Sequence, residues 1–173
     1  MTEPHSFVKS AKGMPTNGYT IRPATLDDVP DLVALRRLMH EAMGYGDHPR
    51  LDDATDAIER ALRRRLADGS LRSWVAVAPN GCVAATGSLY QIEHLPSPTN
   101  LSGRIAVILN VSTRPEHQRQ GLARAIMTTM LDWCREQGIT TVSLQATPAG
   151  RPLYLALGFH PTDELRLSLA DSQ

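Results

Sequence analysis

Between Val111 and Met127 the chain reads VSTRPEHQRQGLARAIM. An apolar run, residues 105–111, empties through a short polar turn into Gln118-Arg119-Gln120-Gly121-Leu122-Ala123 and then into an amphipathic stretch. A strand that feeds a helix start presents several unpaired backbone N–H groups. The helix dipole adds partial positive charge at the same point, so a phosphate is the natural occupant. Gly121 lets an oxygen approach the main chain with no Cβ in the way, and Ala123 keeps a nearby position small. Arg119 and Arg124 add full charge beside the amides, with Arg114 a further candidate. The turn lacks the Lys and Ser/Thr of a G-x-x-x-x-G-K-[ST] loop, which argues against a nucleotide phosphotransferase.

The elements that must hold this turn are legible from periodicity. Residues 19–22 read as a first strand. Thr25 offers an N-cap, with Asp27 and Asp28 in the first turn, and Val29, Leu32, Val33, Leu35, Leu38, Met39 and Ala42 follow at helical spacing. That helix ends near Gly44, residues 44–49 form a loop, and a second helix is expected over about residues 53–67 with Gly69 as its stop. Residues 73–78 and 82–90 read as two strands joined by Pro79-Asn80-Gly81, a hairpin signal. Residues 94–103 make a surface loop, and residues 104–111 suit a central strand buried on both faces. A third helix over about residues 120–137 buries Leu122, Ala125, Ile126, Met130, Trp133 and Cys134, and Gly138 closes it. Residues 141–145 then form a strand parallel to its predecessor, residues 150–157 a short helix with Pro152 in its first turn, and Phe159 opens a final strand.

Composition narrows the function classes. The 173 residues carry 18 basic and 18 acidic side chains, so no global field draws nucleic acid or an anionic membrane. Aromatics are 5% of the chain, too few for stacking platforms, and Arg60, Arg63, Arg64 and Arg65 read as a solvated helix face. The histidines lack metal-ligand spacing, and Cys82 and Cys134 lack the C-x-x-C pattern, so neither a metal site nor a disulfide framework is expected. With no apolar run of membrane-spanning length and no secretory signal, a cytoplasmic protein is the expectation. Residues 1–17 read as a flexible arm ahead of a single domain over residues 18–173.

The Q/R-x-x-G-x-G/A pattern after a strand resembles the acetyl-coenzyme A motif of the GCN5-related N-acetyltransferase (GNAT) superfamily. Ile21-Arg22-Pro23-Ala24-Thr25-Leu26-Asp27-Asp28 resembles that family's opening strand and helix start, and Leu153-Tyr154-Leu155-Ala156-Leu157-Gly158-Phe159 its closing LY-x-x-x-GF segment. The resemblance implies an α/β fold. Its mixed sheet would have about six or seven strands, splayed between strands 4 and 5 and flanked by about four helices. It implies acetyl-CoA as cosubstrate and no metal. The coenzyme set it implies is Asn110, Val111, Ser112, Thr113, Gln118, Arg119, Gln120, Gly121, Leu122, Ala123, Arg124, Thr147, Gly150 and Tyr154. The pantetheine amides would bond to Val111 and Thr113, the diphosphate would lie on residues 119–124, and the thioester carbonyl would face the Asn110-Val111 bulge. In the same reading the Val111 N–H serves as oxyanion donor and Tyr154 as general acid toward the departing thiolate.

The expected reaction is transfer of acetyl to a primary amine by direct attack. The base stays open between Glu93, which is favoured over His94, the helix-end pair His40 and Glu41, and a water chain. Glu41, Tyr45 and Glu93 are the substrate-binding candidates, in the segments over residues 39–53 and 93–103 that border the family's acceptor pocket. The acceptor is a small molecule or a peptide, and a homodimer follows the family's habit. Thr147 stands where many relatives carry Asn, and Gly150 where Ala is common; both replacements are small and should be tolerated. A second function class is a coenzyme-binding module of the same fold without transferase activity.

Overall fold

The computed structural model describes residues 18–169; the expected arm over residues 1–17 lies outside them. The elements are β1 (Thr20–Pro23), α1 (Val29–His40), α2 (Leu51–Ala67), β2 (Arg72–Val77), β3 (Val83–Glu93), β4 (Arg104–Thr113), α3 (Leu122–Glu136), β5 (Thr141–Leu144) and α4 (Arg151–Ala156). They build one five-stranded sheet in the order β1-β2-β3-β4-β5. Neighbours are antiparallel except β4 and β5, which run parallel, as a helical crossover requires.

Each face of the sheet carries its own core. On one face α3 lays Leu122, Ile126, Met127, Met130, Trp133 and Cys134 against Trp74, Ala85, Leu89, Ala106 and Ile108. Burial pushes the Cys134 thiol up to about 11, the state of an inert packing residue. On the other face α1 and α2 cover Val75, Val83 and Leu71 with Val29, Leu32, Leu35 and Leu62. Gly87 on β3 is a point of close approach: a Cβ there would meet Ile126 at 2.6 Å and Met130 at 2.7 Å, so only glycine lets α3 sit this near the sheet.

Several expectations shift at their edges. A 3₁₀ turn (Leu26–Asp28) precedes α1, and α1 runs on as a widened turn (Glu41–Tyr45) to Gly44, whose φ of 90° ends it. α2 begins at Leu51. The Asn80-Gly81 hairpin forms, with the Cys82 amide donating to Asn80 Oδ1 at 3.0 Å. β4 alternates buried and half-buried residues instead of burying both faces.

The largest departure is the final strand. Residues 159–169 form no strand, and among the described residues the sheet has five strands, fewer than the expected six or seven. Leu165, Leu167 and Leu169 alternate as a strand would, yet all three are exposed. Alternation marks which side chains share a face, but a strand exists only once its main chain pairs, and the short β5 offers little edge to pair with. No described helix is long and apolar enough to cross a membrane.

The start of α1 is fixed by charge. Asp28, 5% exposed, accepts both guanidinium nitrogens of Arg22 at 2.8 Å and the Thr25 N–H at 2.7 Å. This joins β1 to α1, and the Arg22 hydrogen bonds hold the Asp28 carboxyl below its ordinary value. Its contribution is therefore full above the unfolded carboxylate range near ~3.9 and lost as pH falls through the lower folded value. Asp28→Asn should cost about 1.5–3 kcal/mol in denaturant unfolding at pH 7, and the gap from the parent should close as the pH is taken below ~4.

Candidate functional site

The register of β3 and β4 breaks at one place. Ser88 pairs with Leu109 and Thr86 with Ser112, so Gly87 alone faces Asn110 and Val111. This is a β-bulge, and Asn110 takes it up with φ at 57°. Asparagine is the side chain, after glycine, that tolerates this left-handed region best. One extra residue flips the faces of everything after it. Before the bulge, Ala106 and Ile108 belong to the α3 core. After it, Val111 packs on the α3 core, while the Ser112 hydroxyl points to the other face and donates to the Leu35 carbonyl of α1 at 3.1 Å. Ser112 therefore offers the cleft its main chain only.

The bulge also marks the end of pairing with β5. β5 follows β4 only from Ile105 to Ile108, so among the described residues the β4 main chain from Leu109 to Thr113 has no strand partner on that side. The expected splay is thus a gap in the sheet, with peptide groups along one wall.

Beyond β4, a 3₁₀ turn (Pro115–His117) leads to the glycine turn. The Tyr19 hydroxyl and His117 Nδ1 share a hydrogen bond of 2.8 Å that ties this turn to the start of β1. Arg119 has φ of 61° and Gly121 φ of 76°, so left-handed residues alternate with others and bring successive N–H groups onto one concave side. Among the described residues no backbone or side-chain acceptor takes the amides from Arg119 to Arg124; Ala125 is the first to bond, to the Gly121 carbonyl at 3.0 Å. Arg119 and Arg124 have no carboxylate within ion-pair distance among the described residues. Arg114 is committed elsewhere: its guanidinium reaches Asp31 at 2.7 Å and the Val83 carbonyl at 2.8 Å, so it anchors α1 instead of charging the turn. The Gln118 side-chain amide turns back toward the Thr113 carbonyl at 3.4 Å.

α4 follows β5, and its Leu153 and Tyr154 pack against the α3-side core. Thr147 closes the turn that leads into α4, with its Oγ1 accepting the Gly150 N–H at 3.2 Å and its carbonyl the Arg151 N–H at 3.0 Å. The Tyr154 ring lies over Gly150, where a Cβ would come within 2.9 Å of it, and meets Phe159 edge-on at 6.1 Å. Glycine at 150 is thus matched to the ring position, beyond being a tolerated small residue. Tyr154 and Val111 pack against the same core. Burial raises the Tyr154 phenol above its usual value, so it stays protonated at neutral pH, and its hydroxyl has no partner among the described residues.

The remaining candidates scatter. Glu93 ends β3 opposite Arg104, roughly 20 Å along the strands from Asn110 at about 3.3 Å per residue, and it is exposed. The structure does not bring Glu93, or His94 after it, to the bulge. Glu41 pairs with Arg37 at 3.1 Å. Tyr45 lines a cavity of about 360 Å³ with His40, His48, Leu51 and Asp53, where the end of α1 meets the start of α2. A second cavity, of about 130 Å³, opens between α1, α2 and the bulge, lined by Arg36, Arg65, Ser88, Leu109 and Asn110 among others. Sequence reasoning missed Arg36, because nothing in a basic amphipathic helix distinguishes an arginine that faces a cavity from its neighbours. Among the described residues no cluster of His, Cys, Asp and Glu is arranged to hold a metal ion.

The family model for the acetyltransferase (GNAT) family matches residues 32–159. The chain belongs to the GNAT family. A GCN5-related N-acetyltransferase of Ralstonia eutropha JMP134 is 32% identical, with a TM-score of 0.81 over 88% of this chain and 99% of that one. A predicted acetyltransferase of Clostridium acetobutylicum, crystallised with acetyl-CoA, is 30% identical, with a TM-score of 0.76 over 87% of this chain and 96% of that one. N-acetyltransferase 8F1 of Rattus norvegicus is 31% identical over 100 residues, 56% of this chain and 42% of the rat protein. The GNAT chain therefore spans less than half the length of that curated relative.

The bulge is testable by itself. Asn110→Gly keeps the left-handed residue and should leave unfolding within about 1 kcal/mol of the parent, whereas Asn110→Val should cost about 1–3 kcal/mol in the same denaturation.

Proposed function

We propose that this GNAT protein is an acetyl-CoA-dependent N-acetyltransferase that acylates a primary amine by direct attack. The reading is supported above all by the free amides of Arg119 to Arg124 beside the unpaired edge of β4, in a chain whose family includes a relative crystallised with acetyl-CoA. A diphosphate suits those amides and the adjacent Arg119 and Arg124. The amides of a pantetheine arm suit the open peptide groups between Leu109 and Thr113. Thr147 and Gly150, at the start of α4, complete the coenzyme set.

Acetyl-CoA supplies an activated acetyl group and a sulfur leaving group. The chain has three tasks beside it. The Val111 N–H, turned by the bulge, donates to the carbonyl oxygen as negative charge grows there. The Tyr154 phenol, protonated and without another partner, holds the proton the departing sulfur takes up. The acceptor ammonium must lose a proton before it attacks, since its ordinary pKa is near ~10. With Glu93 remote from the bulge, that proton leaves through water.

Calorimetry with acetyl-CoA tests the first task, and absence of heat would sink the reading. Gly121→Val, which forces a β-branched residue into a left-handed position and crowds the amides, should weaken that binding far more than it lowers thermal stability. Thiol release over a panel of amines tests the rest; coenzyme binding with no transfer to any amine would leave a binding module instead. Tyr154→Phe should reduce kcat by roughly 100-fold while acetyl-CoA affinity holds, and an unchanged kcat would remove Tyr154 from the mechanism.

A further inference from the structure

The second cavity has an electrostatic character that the reaction alone does not explain. Its floor is the bulge. Leu109 reaches it by ordinary alternation, and the left-handed Asn110 breaks alternation to line the same space. Asn110 is 6% exposed, and its Oδ1 is buried with no hydrogen-bond partner among the described residues. A buried carboxamide left in that condition is destabilising, so it is the kind of group a ligand completes. Its two ends have the same shape, so a half-turn of the amide presents either the oxygen or the NH₂ to an occupant.

Above the floor stand two guanidinium groups. Arg36 of α1 is half-buried and, among the described residues, has no carboxylate within ion-pair distance; its guanidinium makes a long 3.9 Å hydrogen bond to the Met39 sulfur, and its charge lies near enough to His40 to disfavour that ring's protonation. Burial without a counter-charge pushes its guanidinium below the usual value. The neighbouring arginines are different. Arg37 pairs with Glu41 and Asp52, Arg63 with Glu59, and Arg114 with Asp31. Arg65 of α2 also has no carboxylate within ion-pair distance among the described residues; it donates to the Ser70 carbonyl at 3.2 Å and lies over the Tyr90 ring at 4.9 Å. Most of the remaining wall is apolar, from Ile58, Ala61, Leu62 and Leu71; Ser88 also lines it, its hydroxyl sharing a hydrogen bond with Ser73 at 2.7 Å. A desolvated cation without a partner, beside an incomplete amide and an aliphatic wall, is complementary to a small molecule that carries an anion and an apolar group.

We propose that the acceptor is a carboxylate-bearing amine of the apolar α-amino acid class, its carboxylate held by Arg36 with Arg65 beside it and its amino group directed along the Asn110 amide toward Val111. This rests on the transferase reading and names its substrate. The carboxylate and amino group of an α-amino acid are joined through one carbon, so an anchor at Arg36 confines the nucleophile to the neighbourhood of the bulge. The acidic loop residues Asp52 and Asp53, which by themselves would favour a purely cationic amine, lie outside this cavity.

The test compares L-alanine, L-leucine and L-methionine with their primary amides, which keep the amine and lose the carboxylate. Two readouts are used: thiol release with acetyl-CoA, and calorimetric binding of the same compounds to the protein saturated with CoA. The acids should exceed their amides roughly tenfold to hundredfold in kcat/KM and in affinity, as a charge-assisted pair requires. Arg36→Gln should erase the difference through KM, with the melting temperature and acetyl-CoA affinity held, and Arg36→Lys should restore part of it. Equal or better use of the amides, or an acid preference that survives Arg36→Gln, overturns the inference while leaving an N-acetyltransferase standing. Transfer to no amine defeats the transferase reading, and the binding arm then decides the carboxylate site by itself. Absence of Arg36-dependent binding of every acid overturns that too.

Discussion

β4 carries one residue more than β3 across from Gly87, and the left-handed Asn110 absorbs it. Much of the site follows from that excess. A strand without it would send Val111 to the α1 side and Ser112 to α3, by strict alternation. With it, Val111 joins the core that also receives Tyr154, and Ser112 ties β4 to the Leu35 carbonyl. The Asn110 side chain is left in the small cavity beneath α1 and α2. The residue opposite the bulge is Gly87, and α3 presses Ile126 and Met130 onto it. One glycine thus serves the helix on one face and the bulge beside it.

Charge is distributed around this point so that each cation has a distinct task. Arg22 and Arg114 hold α1 to the sheet through Asp28 and Asp31. Their neutralised charges do not compete for an anion. Arg119 and Arg124 stand beside free amides at the start of α3, and Arg36 stands beside Asn110. The first pair adds to a dipole and suits a doubly charged group at the surface. Arg36 is desolvated and single, which suits one carboxylate more than a phosphate.

The start of α4 shows how a departure from the family pattern is absorbed. Thr147, where the resemblance implies Asn, supplies an oxygen to the Gly150 N–H just ahead of α4. Gly150 in place of Ala gives the Tyr154 ring space that a methyl would occupy. The two small residues act together: one closes the turn into the helix and the other sets how closely the phenol can lie against it. The cost is a helix of six residues that depends on that turn and on the Tyr154–Phe159 contact.

Local chemistry by itself determined the helices, the Asn80-Gly81 hairpin, the glycine turn and the place of Tyr154 in a short helix. Each of these is decided by residues within a few positions, through periodicity, capping or a positive φ. Glu93 lies next to a strand in the sequence, but its distance from the bulge depends on the β3–β4 register. The run after Phe159 has a strand's alternation and no strand, because pairing needs an edge that β5 barely offers. Asn110 was visible as a bulge residue, but its buried, unpartnered amide was not, nor was Arg36's place beside it. Register, pairing and burial join residues far apart in the chain, so only the tertiary structure decided them, and with them which charges lie exposed in solvent and which stand alone inside the protein.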